Sequence, residues 1–211
     1  DESVGKILAT LKALGYDKDT LVVLVGDNGA FSTISKRYAG KKSDIPPACA
    51  LPFRAGKGWC YEGGVRVPYL VRVPGMANAG KTSDTPVWTA DLYPTTLGLL
   101  GLDAPEGQCL DGVDIAPVVV APDAKLNRSS PIVWFYPHAH SSGWPGGFAI
   151  RDGQWKLLRI GRNWELYDLD ADVAESKNLV DSNPAKFKAL RAKLEAYLKT
   201  ARGSRFKPLP K

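Results

Sequence analysis

The sequence predicts a mixed α/β fold, in which a mostly parallel, layered α/β part is followed by a small antiparallel sheet covered by a helix. The first part is indicated by an amphipathic helix leading into the apolar run at residues 21–25, which is typical of a parallel strand buried on both faces. The second part is indicated by closely spaced strand patterns and hairpin turns beyond Pro122. We therefore divide the chain into residues 1–122 and 123–211.

In the first part, apolar residues spaced for one helix face run from Val4 to Leu14, and Gly15 ends that helix. After the strand at 21–25, a second strand is expected at 65–73 and a helix at 89–100. Thr89 or Asp91 is the expected N-cap of this later helix. The pattern is that of a larger α/β layer structure.

In the second part, strands are expected at 132–136, 147–151, 155–160 and 164–169, with tight turns at Asp152-Gly153 and at 161–163. Asn183 and Pro184 then begin a helix whose apolar residues form one stripe, so this helix should cover the sheet. Residues 202–211 are expected to be extended.

Composition excludes several classes of protein. The chain of 211 residues has 44% hydrophobic and 24% charged residues and a formal net charge of +6. No apolar run is long enough to span a membrane, and the basic residues are too dispersed for a nucleic-acid face. The three cysteines, Cys49, Cys60 and Cys109, lack zinc-type spacing and leave at least one thiol unpaired within the chain.

Two stretches carry candidate chemistry. Asp27 and Asn28 follow the first strand, where open α/β sheets place ligands; an Asn-Gly turn with a capping aspartate is the alternative, and the residues taken alone favour it. Residues 51–68, here called the glycine loop, combine four glycines with Arg54, Lys57, Glu62 and Arg66, a composition suited to an anion. A solvated surface hairpin is the alternative, and a P-loop is excluded because Gly58 stands where Ser or Thr is needed.

Further polar residues flank these stretches. His138 and His140 alternate on an extended segment and could line a substrate subsite, bind zinc weakly or decorate a loop. The basic residues of the segment 30–50 are expected on a substrate-rim loop or a solvated loop; they are Lys36, Arg37, Lys41 and Lys42.

Six motifs are spread along nearly the whole chain: DNG at 27–29, PFRAGKG at 52–58, EGGVRVP at 62–68, DLYPT at 91–95, LDG at 110–112 and WELYDL at 164–169. Together they resemble the second half of the type I sulfatases, members of the alkaline-phosphatase-like superfamily. The resemblance implies that Asp27 and Asn28 are ligands of one Ca²⁺ ion. It also implies that Lys57 binds a sulfate oxygen and stabilises charge as the S–O bond breaks. Arg54, Glu62 and Arg66 are interpreted as loop-bracing ion pairs outside this site.

The formylglycine nucleophile of these sulfatases arises from Cys or Ser in a C-x-P-x-R type motif that precedes the matched half. The nearest imitation, at 50–54, has Ala50 in the nucleophile position and Cys49 one residue out of register. We therefore expect the nucleophile in an N-terminal half, which would be a partner of this segment, and expect the segment alone to be inactive. The resemblance also implies a periplasmic or secreted location, although the chain shows no signal segment.

The predicted function is hydrolysis of a sulfate ester, with a sulfated glycan as the expected substrate. Phosphodiester or phosphonate hydrolysis by the same superfamily is the first alternative. The second is a truncated, non-catalytic relative that binds sulfated polymers through Lys57 and the rim lysines. No nucleic-acid partner and no membrane span are expected.

Overall fold

The computed structural model describes residues 1–31, 50–76 and 79–200, with the backbone alone at Thr200. The rim lysines and arginine at 36–42, Cys49 and the tail at 202–211 lie outside the described residues. The elements are α1 (Glu2–Ala13), β1 (Val22–Val25), α2 (Glu62–Val65), β2 (Tyr69–Arg72), α3 (Leu92–Leu99), α4 (Ala116–Val120), β3 (Ile132–Tyr136), β4 (Gly147–Asp152), β5 (Trp155–Ile160), β6 (Asn163–Asp168) and α5 (Pro184–Thr200).

The chain packs as two units that do not follow its linear order. Among the described residues, one unit falls within 1–26 and 68–130, and the other falls within 27–67 and 131–200. Residues 27–31 and 50–67, which the division at residue 122 placed with the first part of the chain, therefore pack with the C-terminal sheet. The boundary at residue 122 stays a prediction about the complete protein.

In the first unit, β1 is not the buried parallel strand that its apolar run predicted. It pairs antiparallel with β2, with Leu24 opposite Leu70, and these two side chains are 37% and 58% exposed. An apolar run reports hydrophobicity but not strand direction, which depends on the partner strand. The expected strand at 65–73 is also shorter, because residues 62–65 form α2 and β2 begins only at Tyr69.

The helix expected at 89–100 is confirmed in position, as a 3₁₀ turn at Thr89–Asp91 followed by α3. Asp91 is the N-cap residue of α3, as expected, but its side chain makes no capping hydrogen bond to that helix. The buried Asp91 carboxylate instead accepts hydrogen bonds from the backbone N–H groups of Trp88 (3.0 Å) and Val113 (2.9 Å) and pairs with Arg128. Asp91 thus joins three segments of the first unit.

In the second unit, the antiparallel sheet and its covering helix are confirmed. Strands β3, β4, β5 and β6 lie side by side in chain order, each antiparallel to the next. The two-residue hairpin is Gly153-Gln154, one position later than expected, because Asp152 pairs with Trp155 as part of the ladder. Leu190 and Leu194 of α5 are 2% and 0% exposed, as the apolar stripe predicted.

Each face of this sheet carries its own apolar core, because side chains alternate between the two faces along each strand. Ile150, Leu157 and Leu166 pack with Leu190 and Leu194 of α5. The opposite face contacts the glycine loop, in a cluster made of Cys60, Tyr61, Trp144, Ala149, Leu158, Tyr167 and Leu169. The glycine loop is therefore a structural layer of the second unit, not a solvated hairpin.

Candidate functional site

The segment that carries Asp27 and Asn28 is fixed to the glycine loop by backbone hydrogen bonds. Gly29 N–H donates to the Gly64 carbonyl (2.9 Å), and Lys57 N–H donates to the Ala30 carbonyl (2.8 Å). A Cβ atom at Gly29 would overlap the carbonyl oxygen of Gly63, so only glycine permits this approach. The two stretches singled out in the sequence are therefore neighbours in space.

Arg54 and Tyr61 anchor the loop to the sheet and to the segment that follows it. The Arg54 guanidinium donates to the Tyr167 hydroxyl (2.8 Å) and to the Glu175 carbonyl oxygen (3.0 Å), while Tyr61 Oη donates to Glu165 Oε2 (2.7 Å). Burial raises the pKa of the Tyr61 hydroxyl, and its hydrogen bond to Glu165 raises it further. Tyr61 is consequently a neutral donor at physiological pH.

A buried ion cluster of Glu62, Lys156 and Glu175 lies beneath the loop. Lys156 Nζ is 2.8 Å from Glu62 Oε1 and 3.0 Å from Glu175 Oε1, and Glu62 N–H donates to Glu175 Oε2 (2.6 Å). Arg66 and Arg151 lie 3.5 and 3.6 Å from Glu62 Oε2. The interpretation of Glu62 and Arg66 as loop-bracing residues is confirmed.

The pKa values of the two carboxylates in this cluster are shifted in opposite directions. Burial alone would raise the pKa of Glu62, but Lys156, Arg151 and Arg66 outweigh burial and lower it. Burial raises the pKa of Glu175, and the attraction of Lys156 offsets this only in part. The lowered pKa favours the ionised form of Glu62, whose carboxylate pairs with the Lys156 ammonium group.

A cleft with a volume of about 450 Å³ opens beside this loop in the second unit. Three of the sequence-predicted site residues line it together: Asn28, Lys57 and His140. The remaining lining residues are Gly58, Trp59, Cys60, Gly64, Val65, Val133, Trp134, Phe135 and Tyr136. The cleft thus combines a cation, an amide and an imidazole with aromatic walls.

His140 packs directly against the glycine loop. Its Nδ1 atom is 2.9 Å from Ser142 Oγ, and this hydroxyl donates to the Gly58 carbonyl oxygen (3.3 Å). Gly58 has φ of +87°, and a Cβ atom there would overlap the His140 ring. His138 is exposed and does not line the cleft. The sequence predicts the two histidines on the same side of an extended segment, but only His140 of the two lines the cleft.

The cysteine at the cleft is unsuited to nucleophilic chemistry. Cys60 is 2% exposed, and burial raises the pKa of its thiol to about 12. A thiol with this pKa stays protonated at neutral pH, whereas the thiolate is the reactive form. Cys109 is exposed and does not line the cleft.

Asp27 and Asn28 supply a carboxylate and an amide oxygen, which are hard donors of the kind calcium takes. Asp27 is exposed and Asn28 is half-buried, so both can reach an ion without breaking the core. No group of three or more His, Cys, Asp or Glu that could hold a metal occurs within residues 1–31, 50–76 and 79–200. The pair fits part of a calcium site, and about four further oxygens would be needed to complete it.

Sequence reasoning missed Lys156, Glu175 and the aromatic walls of the cleft. Glu62 and Lys156 are separated by 94 positions, and no local spacing signals their contact. The sequence predicts that the aromatic run of β3 is a strand, and the structure confirms it. The position of that strand along the cleft depends on how the glycine loop packs on the sheet.

Comparison with solved structures defines the class of fold. Ps i-CgsB, solved in complex with k-i-k-neocarrahexaose, is 32% identical and superposes with a TM-score of 0.75 over 93% of this chain and 40% of its own. A phosphonate monoester hydrolase of Agrobacterium radiobacter, 24% identical, shares the fold with a TM-score of 0.58 over 96% of this chain and 38% of its own. The chain has the fold of the alkaline-phosphatase-like hydrolases.

Sequence comparison then defines the family. The profile described as "N-sulphoglucosamine sulphohydrolase, C-terminal" matches residues 55–204, and the profile described as "Sulfatase" matches residues 1–102. N-acetylgalactosamine-6-sulfatase of Mus musculus is 37% identical over 181 residues, which cover 85% of this chain and 31% of that protein. This chain belongs to the sulfatase family and spans about a third of the length of its curated relatives.

Proposed function

We propose that this chain is the C-terminal portion of a sulfuric ester hydrolase that acts on a sulfated glycan and depends on calcium. The observation that carries the proposal is the convergence of Asn28, Lys57 and His140 on one cleft in a chain of the sulfatase family. Ligand sites of this size, about 300–1,000 Å³, join mostly apolar walls to a few converging polar groups. The glycan is favoured by relatives that include an N-acetylgalactosamine-6-sulfatase.

Each polar residue of the cleft has a separate task in this proposal. The Lys57 ammonium group is exposed at the cleft and binds a sulfate oxygen, where it stabilises the negative charge that grows as the S–O bond breaks. His140 has one ring nitrogen engaged with Ser142, which leaves Nε2 to contact the substrate. Both residues are substrate-binding, and Lys57 is also catalytic. His138, the other histidine predicted at the substrate, lies outside the cleft lining and has no part in this proposal.

Asp27 and Asn28 would hold calcium through their oxygen atoms. When bound, such a cation supplies positive charge that orients the sulfate group and stabilises developing negative charge. The backbone hydrogen bonds of Gly29 and Lys57 keep these ligands beside the glycine loop, so loop position and ligand position are coupled.

We also propose that the formylglycine nucleophile and the remaining metal ligands belong to an N-terminal half that binds the first unit of this chain. α1 has no buried residue, and Ile7 is 59% exposed. Leu24 and Leu70 form an exposed apolar pair across β1 and β2. Such apolar faces are normally covered, because sheets and amphipathic helices bury one side.

A periplasmic or secreted location belongs to the same proposal. None of the described helices is both long and apolar enough to cross a membrane.

The test is a substrate panel on the complete protein with calcium present. We expect turnover of sulfate esters and little turnover of phosphonate monoesters or phosphodiesters. Preferential phosphonate or phosphodiester hydrolysis would support the alternative drawn from the same fold. Tight binding of sulfated polymers without any turnover would support the non-catalytic alternative.

A further inference from the structure

The wall of the cleft beside Lys57 contains an aromatic corner formed by Trp59 and Tyr136 against Trp144. Trp144 is 1% exposed and lies behind both rings. Its ring meets Trp59 edge-on with centroids 5.6 Å apart, and it lies nearly parallel to Tyr136 with centroids 6.3 Å apart. Trp59 and Tyr136 are only partly buried and line the cleft.

Hydrogen bonds fix this corner before any ligand arrives. Trp59 Nε1 donates to the Ser142 carbonyl oxygen (3.2 Å), and Trp144 Nε1 donates to the Tyr136 carbonyl oxygen (3.0 Å). His140 N–H donates to the Trp144 carbonyl oxygen (2.8 Å). Rings held in this way lose little conformational freedom on binding, so they form a preorganised surface.

The cleft lining includes a charged side chain, Lys57, and an aromatic part that contains Trp59 and Tyr136. A sulfated pyranose has the same pattern, with an anionic group on one carbon and a ring face made of C–H groups. Those C–H groups carry slight positive charge and pack well on the electron-rich face of an aromatic ring. Hydroxyl groups around the ring edge can reach His140 and Asn28, which line the same cleft.

We propose that Trp59 and Tyr136 bind the apolar face of the pyranose ring that carries the sulfate ester, while Lys57 binds the ester itself. This inference rests on the function proposed above. In this proposal the aromatic corner determines the preference for sugar substrates, because the charge of Lys57 attracts any sulfate ester but does not recognise a sugar. Trp134 is not assigned to the sugar, since its ring lies 5.4 Å from the buried Lys156 ammonium group.

The experiment compares Tyr136→Leu and Trp59→Leu with the unaltered complete protein. The probes are a sulfated oligosaccharide as substrate and inorganic sulfate as competitive inhibitor. Each variant should raise KM for the oligosaccharide about tenfold with little change in kcat. The inhibition constant of inorganic sulfate should stay within about twofold, because sulfate needs only the charged part of the cleft. Tyr136→Phe, which keeps the ring, should retain the original KM.

Trp164→Leu is the matched control, since Trp164 packs beside α5 on the opposite face of the same sheet. If it raises KM as much as Tyr136→Leu does, the effect is general loosening and the inference is overturned. Unchanged KM in both cleft variants would also overturn it, while the proposed function would stand. If the unaltered protein hydrolyses no sulfate ester, the proposed function fails and the inference fails with it.

A second measurement avoids dependence on the folding of a variant. In saturation-transfer NMR of the unaltered protein with the same oligosaccharide, C–H protons on one face of the sulfated ring should receive the most saturation. Equal saturation of both ring faces would contradict stacking on Trp59 and Tyr136.

Discussion

The ammonium group of Lys156 lies 2.8 Å from Glu62 Oε1, and the two side chains are 0% and 2% exposed. This contact joins β5 of the C-terminal sheet to the loop that carries Lys57. Removing one partner of a buried ion pair leaves an uncompensated charge away from water, which is far less favourable than losing a surface pair. The position of the glycine loop therefore depends on a residue about a hundred positions away.

Lys156→Met should strongly destabilise the second unit. We expect a loss of about 3–5 kcal/mol in the free energy of unfolding, because the buried carboxylates of Glu62 and Glu175 would both lose the Lys156 ammonium group. Urea unfolding followed by tryptophan fluorescence measures this change. Lys193→Met is the control, since Lys193 and Asp152 form an exposed pair and should contribute less than about 1 kcal/mol. Equal effects of the two variants would contradict the buried cluster.

The pH dependence of stability should reveal the lowered pKa of Glu62. Its pKa is lowered in the folded state, so its contribution is present above the unfolded value of about 4.3 and is lost as pH falls through the lower folded pKa. The stability difference between the unaltered protein and Glu62→Gln should therefore be constant above about pH 5 and shrink in acid. A difference that grows in acid would contradict the assignment.

Glu175→Gln serves as the opposite control in the same titration. The pKa of Glu175 is raised by burial, so its contribution is full below the unfolded value of about 4.3 and is lost as pH rises through the folded pKa. The advantage of the unaltered protein over Glu175→Gln should thus decline as pH rises, in contrast to the Glu62→Gln comparison.

Lys57→Ala in the complete enzyme should lower kcat by about 10²–10³, because an ion contact at the developing oxyanion is lost. Thermal unfolding should be unchanged, since the side chain is exposed and the loop is held through the Lys57 backbone N–H. Steady-state kinetics on a sulfate ester measures the effect. Lys188→Ala, at an exposed position of α5, should leave kcat unchanged.

Asp27→Ala and Asn28→Ala should each weaken calcium binding by the complete protein at least about tenfold. Isothermal titration calorimetry measures this loss independently of turnover. A calcium-loaded structure should place both side-chain oxygens about 2.3–2.6 Å from the ion. Asp84→Ala, at an exposed residue of the first unit, is the control. Side chains turned away from the ion would refute the ligand assignment.

This chain expressed alone should not hydrolyse a chromogenic aryl sulfate in the presence of calcium. Among the described cysteines, Cys60 is buried and protonated, and Cys109 lies outside the cleft lining. Supplying the proposed N-terminal half should restore turnover, because orienting and charge-stabilising groups leave only a small residual rate without a nucleophile. Robust turnover by the chain alone would show that the nucleophile lies within it.

The sequence by itself determined the local elements and most of the candidate site residues. Hairpin turns and the stripe through Leu190 and Leu194 predicted the antiparallel sheet and α5, because their periods are properties of neighbouring residues. The sequence also predicts Asn28, Lys57 and His140 as site residues, and all three line one cleft in the structure. These signals depend on residues close together in the chain, so they can be recognised in the sequence without knowing the fold.

Only the tertiary structure decided how distant segments meet. β1 pairs antiparallel with β2, the glycine loop covers the sheet face opposite α5, and Lys156 lies buried between two glutamates. In the sequence, Lys156 is one polar residue in a strand pattern, where exposure to water is the usual outcome. Its burial is stable only because Glu62 and Glu175 arrive from segments far along the chain, and local periodicity carries no information about such partners.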